Sequence, residues 1–148
     1  MYKYRTMKTS RNPSVHQEFM YEMIKNKKKE GILKITDDKR ITKIGKYLRK
    51  FSIDEFPQLI NILKGQMSLV GPRPCLPYEY SLYEDWHKKR FSVTPGLSGL
   101  WQAFGRSQVS YNDMVIMDLY YIENISFWLD LKIILKTIPA VLLGKGAY

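Results

Sequence analysis

Helical spacing of apolar residues runs through most of the chain. Amphipathic helices are predicted from Ser14, over residues 41–51 and over residues 110–122. Residues 77–90 have the pattern of one aromatic-rich helix. The last helix, from Ser126, is apolar around more than one stripe. It is therefore expected either to pack deeply or to lie against a bilayer surface.

Short strands are predicted between these helices. Residues 2–7 alternate aromatic and basic side chains, and residues 31–36 form a second run that could pair with them. A loop is predicted at 94–99, followed by a strand at 100–104. The patterns together predict an α+β fold, with mostly amphipathic helices around a small sheet of short strands. We expect a single domain over residues 1–148.

Composition agrees with a folded domain that binds an anion. The chain of 148 residues is 45% hydrophobic and 14% aromatic, which argues against disorder. Its net charge of +10 favours a phosphate-rich ligand, an acidic lipid surface or a nucleic acid. The single cysteine, Cys75, excludes an internal disulfide and fits a reducing compartment. No apolar run reaches the roughly 18–20 residues of a membrane span.

Candidate chemistry is concentrated in residues 49–74. Adjacent carboxylates, Asp54 and Glu55, stand before a short apolar helix that a strand follows. One interpretation is a capping box, in which Glu55 bonds back to Ser52 at a helix start. The other is a catalytic pair. Pro57 favours a regular helix that begins near residues 56–57, which leaves the carboxylates partly free of capping.

Neighbouring carboxylates repel each other, so the pair needs a cation close by. Arg49, Lys50 and Arg73 are candidates, and Mg²⁺ is another because it takes one or two carboxylates with phosphate oxygens and water. Gly71-Pro72-Arg73-Pro74 fixes its backbone and favours a phosphate contact by Arg73. An ordinary turn with an exposed arginine is the alternative.

The two histidines are interpreted as surface residues. His87 lies in a charged stretch, and His16 has no partner at metal-ligand spacing either. With no second Cys or His nearby, a zinc site is not expected.

Three segments resemble the bacterial sugar transferase family: residues 38–74, 93–107 and 118–148. These enzymes are polyprenyl-phosphate phosphoglycosyl transferases that start exopolysaccharide, capsule or O-antigen assembly. The resemblance implies transfer of a sugar-1-phosphate from a UDP-sugar to polyprenyl phosphate, usually undecaprenyl phosphate, with release of UMP. It also implies a two-step mechanism that needs Mg²⁺.

The resemblance also implies roles for individual residues. Asp54 matches the nucleophile that would hold the phosphosugar covalently, and Glu55 matches its partner near Mg²⁺. Arg73 matches the phosphate contact of a Pro-Arg-Pro turn. Further basic residues match family motifs and are implied to bind substrate: Lys3, Arg5, Arg49 and Arg106.

Family members carry a hydrophobic re-entrant membrane helix before the motif that begins at Lys3, so the chain is interpreted as N-terminally truncated. The implied partners are a UDP-sugar, polyprenyl phosphate and an anionic membrane surface, at the cytoplasmic face of the bacterial inner membrane. This chain itself would be peripheral or soluble. No nucleic-acid-binding motif is recognised, and a homo-oligomer stays open. The alternative is a non-catalytic module that binds a membrane or a partner protein.

Overall fold

The computed structural model describes residues 1–8, 14–25, 38, 40–105 and 109–142. The described part of the chain contains the α-helices α1 Ser14–Lys25, α2 Lys43–Lys50, α3 Gln58–Leu63, α4 Pro77–Leu82, α5 Asp85–Lys88, α6 Leu100–Phe104, α7 Tyr111–Glu123 and α8 Phe127–Leu142. It also contains two 3-10 segments, Ile53–Glu55 and Lys89–Ser92, and two strands, β1 Ser68–Val70 and β2 Gly96–Ser98. This arrangement confirms the predicted α+β class.

The two strands form a parallel sheet, with Ser68 opposite Gly96 and Val70 opposite Ser98. Parallel strands need a long crossover, and α4, α5 and the second 3-10 segment form it here. The prediction of a loop over residues 94–99 is therefore wrong at Gly96–Ser98, which form β2. Gly96 can join the sheet because it has no Cβ, which would collide with the backbone of Gly71.

The strand predicted over residues 2–7 is also wrong. In residues 1–8 there is one isolated antiparallel bridge, between Met7 and Ile41. The segment bonds to the start of α2 and to the first 3-10 turn, and not to β1 or β2. The strand predicted at 31–36 lies outside the described residues.

Two other predictions of secondary structure are wrong. Residues 100–104 form helix α6 and not a strand, and Trp101 and Ala103 on this helix are buried. A five-residue apolar run does not distinguish the two structures, and here contacts with α7 and α8 favour the helix. The helix predicted over 77–90 is broken at Tyr83 and Glu84, which have extended backbone angles.

Helix α7 joins two clusters of buried apolar side chains. Its first half supplies Tyr111, Met114 and Val115 to a cluster with Trp101 of α6. Its Tyr121 belongs to a second cluster, which also contains Val70, Ala103 and Ile133. As predicted, α7 begins after Ser110, whose hydroxyl accepts a hydrogen bond from Asp113 N at 3.1 Å.

Helix α8 is buried along part of its surface and leaves other apolar side chains exposed, and contact with a bilayer stays a prediction. Ile133 is fully buried, and the helix contacts α6 and both strands. Phe127 and Trp128 are 73% and 71% exposed, and Leu135 and Ile138 are also exposed. Among the described residues, no helix is both long and apolar enough to cross a bilayer.

The surface assignment of His87 is wrong, because the residue is only 2% exposed. Its ring lies 4.0 Å from that of Trp86 between ring centroids, and it also faces Tyr83 and Tyr111. His87 Nδ1 accepts a hydrogen bond from Glu84 N at 3.0 Å. Burial lowers the pKa of His87, and protonation of Nδ1 would remove this acceptor.

His16 is half-buried and contacts the Tyr78 hydroxyl through Nδ1, so its surface assignment is wrong as well. Burial lowers the pKa of His16, and the positive charges of Arg40 and Arg73 act in the same direction. Glu79 opposes them.

We predict that the buried ring of His87 makes the fold acid-sensitive. The unfolded chain binds a proton at this residue near pH 6.5, whereas the folded chain resists it, so stability is lost as the pH falls below that value. His87→Asn keeps an acceptor near the Nδ1 position but does not titrate. Urea denaturation at pH 5, 6 and 7 should show a larger loss of unfolding free energy in the original chain than in this variant.

The test is the difference in unfolding free energy between the original chain and His87→Asn, because other groups titrate in both. His16→Gln is the matched control, and it should leave the contribution of His87 in place. Equal slopes of stability against pH for the original chain and His87→Asn would contradict the prediction.

Candidate active site

Asp54 and Glu55 lie in the 3-10 turn that joins α2 to α3. Ser52, just before the turn, has a φ of 53°, and its side chain makes no capping hydrogen bond. The capping-box interpretation is therefore wrong. Helix α3 begins at Gln58, directly after Pro57, which confirms the helix start inferred from that proline. Glu55 is left free for another role.

The ammonium group of Lys3 lies between the two carboxylates. Lys3 Nζ is 3.1 Å from Asp54 Oδ2 and 3.0 Å from Glu55 Oε1. Asp54 is 2% exposed, whereas the Glu55 side chain is 28% exposed. Asp54 Oδ2 accepts no hydrogen bond from the described residues, so the nearby positive charge is its main interaction. Lys3 is thus a cation that offsets the repulsion of the pair.

Backbone hydrogen bonds place Lys3 at this position. On one side of it, Tyr2 N donates to Asn61 Oδ1 at 2.8 Å, and on the other Tyr4 N donates to Asp54 O at 3.0 Å. Asn61 is buried, and its Nδ2 donates to Gln66 Oε1 at 2.7 Å. The 3-10 turn and α3 therefore hold the chain on both sides of Lys3.

Further along, Thr6 fastens the same segment to α2. The Thr6 carbonyl oxygen accepts a hydrogen bond from Thr42 N at 3.0 Å, and its hydroxyl accepts one from Arg49 Nε at 2.9 Å. Gly45 lies against this carbonyl, where a Cβ would collide with the oxygen. The close approach of residues 1–8 to α2 therefore requires a glycine at position 45.

The structure brings together some of the predicted site residues and separates others. Lys3 contacts Asp54 and Glu55, whereas Arg49 binds Thr6 and supports the segment that carries Lys3. Arg5 is exposed, and its assignment as a substrate-binding residue stays a prediction. Arg106 lies outside the described residues.

Arg73 is exposed on the turn after β1, and no ion pair joins it to Asp54 or Glu55 in the described chain. Its charge instead contributes to the lowered pKa of His16. The assignment of Arg73 as a phosphate contact stays a prediction.

Three residues that support the site were missed in the sequence. Thr6 and Asn61 gave no signal, because polar residues of these types are common in loops and on helix surfaces. Gly45 did give one: a glycine inside an amphipathic helix lowers helix stability and often has a packing reason.

The carboxylate pair offers the kind of ligand that Mg²⁺ takes. Asp54 Oδ2 is paired with Lys3 but accepts no hydrogen bond from the described residues, and Glu55 is partly exposed beside it. The described residues contain no cluster of three or more His, Cys, Asp or Glu side chains that could hold a metal ion. Two carboxylates supply only part of an octahedral shell, and phosphate oxygens and water commonly complete it around Mg²⁺.

Comparison with known proteins places this chain in a family. Residues 1–144 match the family model described as bacterial sugar transferase. The chain is 45% identical over 148 residues to the galactosyl transferase CpsE of Streptococcus agalactiae, covering 99% of this chain and 32% of that protein. It is 42% identical over 146 residues to the exopolysaccharide production protein ExoY of Sinorhizobium fredii, covering 99% of this chain and 65% of that one.

A third relative is the undecaprenyl-phosphate galactose phosphotransferase of Salmonella typhimurium, which is 40% identical over 147 residues. The match covers 99% of this chain and 31% of that protein. The chain therefore spans only part of the length of these curated relatives.

We predict that Gly45→Ala loosens the site even though Gly45 touches neither carboxylate. Alanine is favoured over glycine inside a helix by about 1 kcal/mol, so a helix-propensity effect alone would stabilise the protein. The clash with the Thr6 carbonyl should instead cost on the order of 1–3 kcal/mol, measured by urea denaturation.

Hydrogen exchange should report the displacement directly, with faster exchange at the amide of Thr42, which donates to the Thr6 carbonyl, and at the amide of Tyr4, which holds the same segment to Asp54 O. Lys43→Ala changes an exposed residue of the same helix and serves as the control. Stabilisation by Gly45→Ala with unchanged exchange at these amides would refute the packing argument.

Proposed function

The chain belongs to the bacterial sugar transferase family, and on that basis we propose that it carries the catalytic site of a phosphoglycosyl transferase. The proposed reaction moves a sugar-1-phosphate from a UDP-sugar to polyprenyl phosphate, as the first step of a cell-surface polysaccharide. The observation that carries the proposal is Asp54, a buried carboxylate with one oxygen free of hydrogen bonds beside a lysine ammonium. The name of the Salmonella relative supports undecaprenyl phosphate as the acceptor.

In the first step, a carboxylate oxygen of Asp54 attacks the phosphorus that bears the sugar. A bond forms between this oxygen and phosphorus, and the bond from phosphorus to the bridging oxygen of the diphosphate breaks. UMP leaves with that electron pair, and Asp54 holds the phosphosugar as an acyl phosphate. Asp54 Oδ2 accepts no hydrogen bond from the described residues, and its ion pair with Lys3 at 3.1 Å has to loosen before attack.

In the second step, a phosphate oxygen of the polyprenyl phosphate attacks the same phosphorus. The acyl phosphate bond breaks, and the electron pair returns to Asp54 as a carboxylate. The product is a polyprenyl diphosphate sugar. Burial of Asp54 supports this step because it limits the access of water, which would otherwise hydrolyse the intermediate.

The surrounding charges divide the remaining work. Lys3 can exchange its contacts with the carboxylates for the phosphate oxygens of an incoming substrate, since its side chain is 32% exposed. Arg73 is exposed, and its planar guanidinium can bind phosphate through two parallel hydrogen bonds. Glu55, with Asp54, would hold Mg²⁺, which when bound would neutralise charge on the diphosphate. Lys3 and Arg73 thus act on the substrate, whereas Asp54 acts on the phosphorus.

Contact with a membrane surface is part of the proposal. On α8, Phe127 and Trp128 are exposed together with Lys132 and Lys136, which combines apolar and basic side chains on one helix. On α3, Leu63 is 88% exposed. Such side chains suit an anionic lipid surface, where the polyprenyl acceptor resides.

The same surface also favours the alternative of a non-catalytic module at a membrane. The two functions differ at Asp54, because only the transferase needs a UDP-sugar and a reactive carboxylate. Binding to vesicles without any release of UMP would favour the module.

We predict that Asp54→Asn abolishes transfer. In membranes containing the protein, with polyprenyl phosphate, a panel of UDP-sugars and Mg²⁺, release of UMP should fall by at least about a thousandfold. The original protein quenched with UDP-sugar alone should carry a phosphosugar mass on the peptide with Asp54. Asp85→Asn is the matched control, since that side chain is 99% exposed and should leave release unchanged. Full turnover with Asp54→Asn would exclude the nucleophile.

We also predict that α8 binds anionic lipid. The double change Phe127→Ser and Trp128→Ser should weaken binding to phosphatidylglycerol vesicles by roughly tenfold or more, because each aromatic ring contributes buried apolar area. Tyr21→Ser, at a 52% exposed aromatic on α1, is the control. Equal cosedimentation of both variants with the original protein would contradict a role for this helix.

A further inference from the structure

A buried ion pair lies behind the turn that carries Arg73. Arg90, in the second 3-10 segment, pairs through Nη2 with Oδ2 of Asp118 on α7. Their side chains are 2% and 1% exposed. The same Nη2 donates a hydrogen bond of 3.4 Å to the carbonyl oxygen of Arg73. One guanidinium therefore links α7, the 3-10 segment and the Gly71–Pro74 turn.

The hydrogen bond from Arg90 reaches the turn at the residue after its last backbone hydrogen bond to β2. Gly71 N donates to Ser98 O and Gly96 N donates to Pro72 O, each at 2.9 Å, so the first half of the turn is bonded to β2. Pro72 is fully buried. Arg73 is the next residue, and Pro74 after it has no N–H to donate. The bond from Arg90 thus extends the fixed part of the turn to Arg73 itself.

A full charge pair is an unusual choice for this place in the core. Arg90 and Asp118 lie in the part of the fold that contains Tyr83 and Tyr111, and apolar residues in place of a buried pair are often equally stable or more so. Burial raises the pKa of Asp118, and the charge of Arg90 opposes this effect. An apolar replacement could fill the space, but it could not donate to the Arg73 carbonyl.

We propose that Arg90, held by Asp118, is a positioning residue that fixes the Gly71–Pro74 turn so that the Arg73 side chain points at the substrate phosphate. Arg90 itself is buried and does not touch substrate. This proposal rests on the proposed function, since it takes Arg73 as the phosphate contact.

The first arm of the test measures the turn without using activity. Arg90→Met alone would leave Asp118 buried and unpaired, so the informative variant is the double change Arg90→Met and Asp118→Leu. Hydrogen exchange at Gly96, whose N–H donates to Pro72 O beside Arg73, should be about tenfold faster or more in this variant, while the amides of α2 stay unchanged. Val115→Ala, in the same buried cluster as Tyr111, is the control for lost stability. Unchanged exchange at Gly96 would overturn the proposal whether or not the protein is active.

The second arm is a double-mutant cycle with Arg73→Ala, measured by release of UMP. Replacing the pair should reduce transfer about ten- to a hundredfold when Arg73 is present, because small displacements of a binding group cost this much. In the Arg73→Ala background the same replacement should change transfer less than about twofold. Equal losses in both backgrounds would mean that the pair does not act through Arg73.

The two arms separate this proposal from the proposed function. If the original protein releases no UMP in a manner that depends on Asp54, the proposed function fails, and the exchange arm still decides whether the pair fixes the turn. If release depends on Asp54 but the cycle is additive, the positioning role fails alone.

Discussion

The repulsion between Asp54 and Glu55 is the constraint on which the arrangement of the site depends. Two adjacent carboxylates, one of them buried, need a positive charge, and Lys3 supplies it within 3.1 Å of both. Lys3 and Glu55 are 52 residues apart in the sequence, so the charge balance requires a long-range contact. The glycine at position 45 permits that contact, because residues 1–8 can then lie directly against α2. A packing detail on a helix thus sets the electrostatics of a site elsewhere.

The two ends of the stretch from Arg49 to Pro74 are fixed by separate parts of the molecule. The end that carries Asp54 is bonded to residues 1–8 and packs against α2. The end that carries Arg73 is bonded to β2 and to Arg90, and through Arg90 it depends on α7. Helix α7 also joins both clusters of buried side chains. The core and the Arg73 turn therefore share one support, whereas the carboxylate pair has its own.

Local patterns in the sequence were sufficient to predict an element where its structure depends on its own residues. The helix after Ser110 follows from a cap and apolar spacing, and the start of α3 follows from Pro57. Prediction failed where the partner is distant. Residues 2–7 alternate like a strand, but their hydrogen bonds go to α2 and the 3-10 turn. His87 lies in a charged stretch of the sequence, yet its burial is determined by tertiary contacts of its ring with other aromatic side chains. The carboxylate pair was found from its residues, but its support by Thr6 and Asn61 depends on the fold.

Burial changes along the same stretch in the order that the proposed chemistry requires. Asp54 is 2% exposed, the Glu55 side chain is 28% exposed, and Arg73 is exposed on its turn. A group that forms an acyl phosphate has to be shielded from water, because hydrolysis would waste the intermediate. A side chain that binds the substrate phosphate has to be accessible from solvent. Helix α3 connects these two environments, and its apolar residue Leu63 is 88% exposed. Under the proposed function, an acceptor with a phosphate head and a long apolar chain would meet the same change from polar to apolar surroundings.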